Sequence, residues 1–322
     1  MLVRLLKVVV VVVLLVVALA AGGLAWLHWE IQLARDPLPL LSDVLAVGAT
    51  GEVPVKLSVI ETSQQQTPRS GVIDPAGDPH KDAPFVMTHP AFVLEWADGR
   101  ILLVDTGMTR EGAIKFGVPL EQFFNAGPAN ALTSTAAALG DAASRVQAIV
   151  FTHLHIDHTD GLRELCGRIG HPVKVFSTAL QLDSWTPFTS EGKDLIAHAP
   201  CAERVRLGHT PMKPLDGFPG VGIVSVGGHT PDSQAVFAAV RGADDKLVRY
   251  VFTGDVTNTI DGMRSDVSKP LLYRLVIVPE DDDRLGELRR YFTTLERDHG
   301  IQIAVSHDQG HLHELGIPAW KQ

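Results

Sequence analysis

The segment FTHLHIDHTDG, residues 151–161, places three histidines and an aspartate within six positions: His153, His155, Asp157 and His158. Neutral imidazoles and carboxylates are ligands for zinc, iron and manganese. In an extended segment His153 and His155 project to the same side of the chain, and a turn after them can add Asp157 and His158. Four neighbouring ligands would crowd one tetrahedral ion, so the spacing favours two adjacent ions with further ligands elsewhere.

A simpler interpretation of the same segment is a histidine-rich surface loop in which Asp157 or Thr159 caps the following helix. The motif H-x-H-x-D-H, however, comes just after an apolar run that ends at Phe151 and is predicted to be a strand. A histidine-rich surface loop would have no reason to lie at the end of a strand. We therefore predict metal binding.

The elements around this segment predict an α/β sandwich. Apolar and alternating patterns predict strands at 92–96, 101–104, 148–151, 173–176, 221–226, 235–240, 247–252 and 301–305, and an earlier one around Val55, Leu57 and Val59. Helical spacing appears at 160–169 and at Leu285, Leu288, Phe292 and Leu295, where acidic residues precede the helix and Gly300 ends it. Strands and helices mix without strict alternation, which indicates hairpins as well as crossovers.

The polar stretch 64–90 is rich in Gln, Pro, Gly and Asp. It predicts a long loop, and a loop of this length in a compact domain could fold over a site.

The N-terminal residues differ from the rest of the chain, because Val8 to Leu27 form an uninterrupted uncharged run. About 20 helical residues span roughly 30 Å, the thickness of the hydrocarbon core of a bilayer. Arg4 and Lys7 precede the run, which favours an internal N-terminus and an extracytoplasmic, periplasmic body. The alternative is a signal peptide cleaved after Ala20, with a secreted body.

We therefore divide the chain into a membrane anchor or uncleaved signal (1–30), a linker (31–50) and one catalytic domain (51–322).

Charge and cysteine content limit the classes of partner and scaffold. The formal net charge of −9 argues against nucleic acid as a partner, since phosphate-backbone binders carry a basic face. Cys166 and Cys201 match no cysteine-rich zinc motif and leave one disulfide or two buried thiols open. Cys166 lies on the apolar face of a predicted helix and is interpreted as a buried structural thiol rather than a catalyst.

Four further motifs lie at the ends of predicted strands: VDTG at 104–107, GGHTPDS at 227–233, FTGD at 252–255 and VSHD at 305–308. Together with THLHIDH they resemble, in order, the signature of the metallo-β-lactamase-fold hydrolase superfamily. The resemblance covers roughly residues 50–315. It implies a four-layer αββα sandwich.

The resemblance also implies a set of metal ligands. His153, His155 and His229 would bind the first metal, Asp157, His158 and His307 the second, and Asp255 would bridge them. Asp105 would orient the ligand loops through hydrogen bonds. His229 and Asp105 could instead be ordinary turn residues, Asp255 a cap, and His307 a surface hydrogen-bonding group. The order of the motifs and the strands before them favour the ligand interpretation.

Such a site predicts hydrolysis. Two divalent ions, zinc or alternatively iron or manganese, lower the pKa of a bridging water from 15.7 toward roughly 7 and supply hydroxide. Asp157 beside that water is the expected proton carrier. We predict a small-molecule ester or lactone as substrate. The alternatives are a mononuclear iron sulfur dioxygenase of the same fold, a phosphodiesterase, a β-lactam hydrolase, and a membrane-tethered binding module without activity.

The residues next to the expected metal ligands narrow the choice of substrate class. Asp255 occupies the position where the best-known zinc β-lactamases carry cysteine, which argues against simple β-lactam hydrolysis. The residues of the motif THLHIDH resemble those of the lactonase and hydroxyacylglutathione-hydrolase branches. Val256-Thr257-Asn258 lacks the tyrosine that acyl-homoserine lactonases aim at the lactone, and Tyr273 in LLYRLV is interpreted as a core aromatic. The residues after His229 include no basic cluster for a glutathione carboxylate or an RNA backbone.

Overall fold

A computed structural model describes residues 2–49, 51–208, 212–242 and 244–321, and these residues form two β-sheets of seven and five strands. The strands are β1 (Lys56–Gln66), β2 (Val86–Glu95), β3 (Ile101–Val104), β4 (Asn130–Ala131), β5 (Val146–Val150), β6 (Val173–Thr178), β7 (Ala202–Leu207), β8 (Lys213–Leu215), β9 (Phe218–Ser225), β10 (Gln234–Arg241), β11 (Leu247–Phe252) and β12 (Gln302–Ala304).

Each sheet joins a hairpin part to a parallel part. The first sheet has the order β4-β1-β2-β3-β5-β6-β7, and the second has the order β12-β11-β10-β9-β8. In the first, β3, β5, β6 and β7 run parallel, whereas β1 and β2 are antiparallel to their neighbours. In the second, β11 and β12 are the parallel pair. Hairpins and crossovers therefore coexist, as the sequence predicts.

Eleven helices lie among the described residues, and several of them cover the outer faces of the two sheets. They are α1 (Leu2–Leu33), α2 (Leu41–Ala46), α3 (Arg110–Phe124), α4 (Thr135–Leu139), α5 (Ile156–Thr159), α6 (Leu162–Ile169), α7 (Ala179–Asp183), α8 (Ser190–His198), α9 (Ile260–Arg264), α10 (Asp282–His299) and α11 (Gln309–Glu314). Phe92, Phe176 and Phe252 are buried in the core between the sheets. Helices α4, α6 and α8 pack on the first sheet and α9 and α10 on the second, so the predicted four-layer αββα sandwich is confirmed.

Helix α10 follows its sequence signals closely. The side chain of Asp281 accepts a hydrogen bond from the backbone N–H of Arg284 at 3.2 Å, which caps the first turn. Gly300 ends the helix with φ of 65°, a left-handed conformation that glycine adopts without steric cost. Leu288 and Phe292 are buried against the second sheet. The predicted helix is thus confirmed, and it begins at Asp282, within the acidic residues predicted to start it.

The predicted loop at 64–90 is wrong at both ends. Strand β1 continues to Gln66 and β2 begins at Val86, so the connection is shorter than predicted. Pro90 hides the start of β2 from sequence patterns, because proline lacks the N–H that a strand normally donates. In the structure Pro90 pairs with Glu61 beside a bulge between Glu61 and Ser63, where a missing donor is tolerated.

Helix α1 contains one segment, Arg4–Leu33, that is long and apolar enough to cross a membrane; its most apolar stretch of 18 residues has a mean hydropathy of 3.1 and is not buried. A signal sequence has the same properties, so this is weak evidence for an anchor. The predicted linker that follows contains α2, whose Val44 is buried against the second sheet. The domain boundaries remain a prediction.

Cys166 and Cys201 form a disulfide bond, with their Cα atoms 5.3 Å apart. Of the two alternatives that the sequence leaves open, one disulfide or two buried thiols, the structure has the disulfide, so Cys166 has a structural role but is not a thiol. The bond ties α6 to the chain just before β7, two elements of the first sheet layer that are separated by 35 positions. The sequence offers only this one pairing, but whether the two sulfur atoms come within bonding distance depends on the tertiary structure.

Candidate metal centre

The residues that the sequence singles out lie together at one edge of the sandwich. Each follows a strand: Asp105 follows β3, His153, His155, Asp157 and His158 follow β5, His229 follows β9, Asp255 follows β11 and His307 follows β12. The carboxyl ends of parallel strands meet at the same sheet edge, which is where ligand sites of open sheets form. Most of these side chains are buried, and only His155 is partly exposed.

Three imidazole nitrogens converge in the first group. Nδ1 of His155 lies 3.1 Å from Nε2 of His153 and 3.1 Å from Nε2 of His229. A tetrahedral zinc ion about 2.0–2.1 Å from each nitrogen requires nitrogens about 3.3 Å apart. The spacing therefore fits a common metal ion, and Asp255 Oδ2 at 3.5 Å from His229 Nε2 can complete the set.

A second group of ligand atoms adjoins the first. His307 Nε2 lies 3.0 Å from Oδ1 of Asp255 and 3.6 Å from Oδ2 of Asp157. His158 Nε2 lies 3.3 Å from Oδ1 of Asp255 and 3.7 Å from Oδ2 of Asp157. Both groups thus contain Asp255, whose carboxylate lies between them.

Buried polar atoms that lack hydrogen-bond partners indicate that the site can hold a metal ion. Nε2 of His158 and Oδ1 of Asp255 are buried and make no hydrogen bond. Leaving a buried polar atom without a partner costs about 1–3 kcal/mol, and native proteins rarely tolerate it. The two atoms lie 3.3 Å apart, a spacing that two ligands of one divalent cation can adopt. The donor set of imidazoles and carboxylates suits zinc, iron or manganese.

The electrostatics of the ligand set also fit a metal site. Burial lowers the pKa of His155 to about 3, so its nitrogen lone pair is free for a metal. Burial opposes charge on His158 as well, but the carboxylates of Asp105 and Asp157 raise its pKa well above 6.5. Without metal, protons on imidazoles therefore offset the buried carboxylates, and a metal ion that binds there displaces them.

Asp105 orients the second group by hydrogen bonds. Its Oδ2 lies 2.9 Å from Nδ1 of His158, and its Oδ1 accepts a hydrogen bond of 2.7 Å from the backbone N–H of Thr152. The backbone of Asp105 is left-handed, with φ of 60°, a conformation that costs a non-glycine residue of order 1 kcal/mol or more. This strained position holds the Nε2 of His158 toward Asp255.

A buried ion pair behind His229 was missed by sequence reasoning. Glu280 Oε1 lies 2.5 Å from Nδ1 of His229 and accepts a hydrogen bond of 2.6 Å from Nζ of Lys269. Lys269 also donates to the backbone carbonyl of Asp255 at 2.7 Å. The pair therefore fixes His229 and Asp255 relative to each other. Neither residue belongs to a motif, so no local signal could have identified them.

His89 was also missed, because it lies within the stretch predicted as a loop. In the structure it belongs to β2, and its Nε2 lies 3.8 Å from Oδ2 of Asp157. Its Nδ1 lies 2.9 Å from the hydroxyl of Ser63. Burial lowers the pKa of His89 to about 3, so it is neutral. With Asp157 and His307 it forms a third group of potential metal ligands.

A cavity of about 570 Å³ opens over the ligand groups. Its wall includes His155, Asp157, Asp255 and His307. It also includes the apolar side chains Met87, Phe116, Pro119, Leu120, Phe124, Phe188, Ile277 and Val278, and further charged or polar side chains, among them Glu111, Lys115, Asp160, Arg163, Glu191 and Asn258. A cavity of this volume is typical of small-molecule sites.

Tyr273 is a wall residue of the cavity, so its interpretation as a core aromatic is wrong. It begins a π-helical turn, Tyr273–Ile277, and is not part of the core between the sheets. Burial, together with Glu280 and Asp255, raises the pKa of the Tyr273 phenol well above 10, so the hydroxyl keeps its proton.

Comparison with known proteins supports one class. The family model of the metallo-beta-lactamase superfamily matches residues 85–304. The chain belongs to this superfamily, in agreement with its four-layer sandwich and its ligand motifs. Curated proteins give no significant match.

Solved structures show the same fold at low sequence identity. An N-acyl homoserine lactone hydrolase with N-hexanoyl-L-homoserine bound at its catalytic metal centre is 16% identical, with a TM-score of 0.61 over 84% of this chain and 99% of that one. AiiA of B. thuringiensis, with N-decanoyl-L-homoserine bound, is 15% identical, with a TM-score of 0.60 over 84% and 99%. A probable metal-dependent hydrolase from Staphylococcus aureus is 11% identical, with a TM-score of 0.55 over 81% and 91%.

Proposed function

We propose that the protein is a dinuclear metal-dependent hydrolase of ester or lactone bonds, with zinc as its metal. The observation that carries this proposal is the position of the Asp255 carboxylate, which belongs both to the group of His153, His155 and His229 and to the group of His158 and His307. One carboxylate shared by two groups of imidazoles is the arrangement expected of a bridging ligand between two ions.

The two ions would supply an activated water and polarise the substrate oxygen. Asp157 is the group assigned to proton transfer, and its Oδ2 lies 3.7 Å from His158 Nε2 and 3.6 Å from His307 Nε2. Burial raises the pKa of Asp157, but His158 and His307 outweigh it and the net shift is downward. The carboxylate is therefore ionised and able to accept a proton from water and pass it to the leaving oxygen.

The cavity wall favours an acyl substrate. Apolar side chains such as Phe116, Leu120 and Ile277 can surround a hydrocarbon chain while the acyl carbon reaches the ligand groups. Tyr273 carries a neutral phenol that can donate a hydrogen bond to a substrate oxygen. Water adds across the acyl C–O bond, giving a carboxylic acid and an alcohol, or a hydroxy acid from a lactone. No oxidant is needed.

Metal content and activity of the purified full-length chain test the proposal. Elemental analysis after growth with zinc, iron and manganese should give about two divalent ions per chain. A panel of lactone, ester, β-lactam and phosphodiester substrates should show turnover of the lactones or esters. Asp157→Asn should lower kcat by about 10²–10⁴-fold, the usual contribution of a proton-transfer group.

Asp194→Asn is the matched control, because Asp194 is exposed on α8 and should leave kcat unchanged. A chain without transition metal under metal-replete conditions would contradict the whole proposal. One iron per chain with oxygen consumption would instead support the sulfur dioxygenase alternative. Turnover confined to β-lactams or phosphodiesters would refute the acyl substrate, and full activity of Asp157→Asn would refute the proton role.

A further inference from the structure

Apolar side chains are exposed on two segments that border the cavity. The first is the segment 271–278, where Leu272 is 63% and Val276 is 52% exposed. The second is the connection before α8, where Trp185 is 53% exposed. Single exposed apolar residues are ordinary, but neighbouring ones around a cavity mark an interaction surface.

The inner faces of the same two segments line the cavity. Tyr273, Ile277 and Val278 form its wall from the first segment, and Phe188 forms it from the second. Each segment therefore separates the cavity on one side from an exposed apolar surface on the other. We call these two segments the rim.

The apolar helix α1 contacts both segments of the rim. The rings of Trp26 and Trp185 have centroids 6.4 Å apart, and Nε2 of His28 lies 3.0 Å from the carbonyl oxygen of Leu275. The exposed apolar surface of the rim is thus continuous with the exposed apolar surface of α1. Trp26 and Trp29 lie near this junction, where interfacial aromatic residues are expected.

The end of α1 is fixed to the body, so its direction relative to the rim is set. Nε and Nη2 of Arg35 each donate a 2.6 Å hydrogen bond to the carboxylate of Asp281. The carbonyl of Ala34 lies against Gly227, where an added Cβ would come within 2.1 Å of that oxygen. A side chain at 227 would therefore push the helix away. The 30-residue segment Arg4–Leu33 is about 45 Å long, which exceeds the thickness of a hydrocarbon core.

We propose that the rim docks on the surface of a phospholipid bilayer in which α1 is embedded, and that the cavity takes its substrate from that bilayer. The substrate class is an amphiphilic long-chain acyl ester or lactone, whose chain passes from the lipid across the apolar rim to the ligand groups. Arg274 also lies in the rim, but its guanidinium pairs with the carboxylate of Asp282 at 2.8 Å. The rim therefore does not bring an unpaired charge to the lipid. The docking surface stands on geometry alone, whereas the substrate class rests on the proposed function.

Lipid contact can be measured without any activity. Leu272→Cys in the full-length chain adds one free thiol, since Cys166 and Cys201 are bonded to each other. A bimane label at 272, in vesicles of phosphatidylcholine and phosphatidylglycerol (3:1), should be quenched by brominated phosphatidylcholine. Val55→Cys is the control: Val55 is 44% exposed and pairs with Glu95, at the end of the sheet opposite the ligand groups. Label at 55 should not be quenched.

Delivery from the bilayer is tested by kinetics. Val276→Ser should raise KM for a palmitoyl ester held in the vesicles by about tenfold or more, because a polar side chain loses favourable contact with lipid. It should leave KM for the acetyl ester of the same alcohol, dissolved in water, unchanged. Val55→Ser should change neither value.

Each outcome decides a separate part of the proposal. Equal quenching at 272 and 55 would overturn the docking surface, and a label at 272 protected by chain dimerisation would assign the rim to a second copy of the chain. Equal KM changes for the two esters would overturn delivery from the bilayer. Absence of turnover with any ester or lactone would defeat the proposed function and the substrate class, while the quenching would still decide whether the rim meets lipid.

Discussion

The buried pair of Lys269 and Glu280 offers a sharp test of the site, because removing the lysine leaves a buried carboxylate without its cation. Nζ of Lys269 donates to Glu280 Oε1 at 2.6 Å, and both side chains are buried. Breaking such a pair from one side costs about 3–5 kcal/mol, since the remaining charge is desolvated and unpaired. We expect Lys269→Met to lower the free energy of unfolding by that amount.

The pH dependence of the variant has a defined sign. Burial raises the pKa of Glu280, but Lys269 and then His229 outweigh it and hold the pKa below its usual 4.5. In Lys269→Met the burial is no longer opposed by the lysine, so the pKa of Glu280 in the folded state rises above its unfolded value. The folded variant then binds the proton more tightly than the unfolded one, and its stability deficit should shrink as the pH falls from about 7 toward 5.

Urea unfolding of the full-length chain in detergent, followed by fluorescence, measures the effect. The comparison belongs in chelator-treated protein, because bound metal stabilises the wild type by mass action. Lys246→Met is the matched control: Lys246 is exposed and pairs with Asp244 at 2.8 Å on the surface, so no change is expected. Adding Glu280→Gln to Lys269→Met should recover most of the loss, since a neutral amide can still accept a hydrogen bond from His229.

Two results would refute the reasoning. A loss in Lys269→Met below about 1 kcal/mol would show that the pair is not desolvated as the structure has it. No recovery in the double variant would show that the cost arises from lost packing of the lysine stem and not from the unpaired charge of Glu280.

Three further predictions concern other parts of the molecule. Asp105→Asn should weaken metal binding by about 10–100-fold, measured by competition with a chelator, because the group that orients His158 loses its charge; unchanged affinity would contradict this. The double variant Cys166→Ser with Cys201→Ser opens a loop of 35 positions, which gives the unfolded chain more conformational freedom. It should lower the free energy of unfolding in urea by about 4 kcal/mol, and an unchanged free energy of unfolding would contradict this. Arg69 holds the pKa of Asp78 below its usual 3.8, so this pair stabilises the fold above that pH and the contribution is lost as the pH falls through the lower pKa of the folded state. The free energy of unfolding of Asp78→Asn, measured in urea, should therefore decrease less than that of the wild type as the pH falls from about 5 to 2. An equal decrease in the two proteins would contradict this.

The site could be predicted from sequence to the extent that its residues lie in short motifs after apolar strands. His153 and His155 share a side because side chains alternate in an extended segment, which is a local property. Helix α10 was predictable for the same reason, since its caps and apolar spacing lie within the helix itself. The ligand roles of these residues remain predictions that metal analysis will test.

Other residues of the site could not be found in this way. His89 stands beside a proline that breaks the strand pattern, and Tyr273 in LLYRLV has the neighbours of a core residue until the π-helical turn aims it at the cavity. Lys269 and Glu280 read as ordinary surface charges, because the cost of burying them depends on residues far away in the chain.

The α/β sandwich, the ligand motifs and the apolar N-terminal helix could be predicted from the sequence, because each depends on periodicity or spacing within a few residues. The positions of Asp255 between two groups of imidazoles and of Glu280 behind His229 became apparent from the folded structure alone. The same holds for the bond between Cys166 and Cys201 and for the contact of the apolar helix with the rim of the cavity. These facts are relations between distant segments, and their energies arise from burial and close contact after the chain has folded.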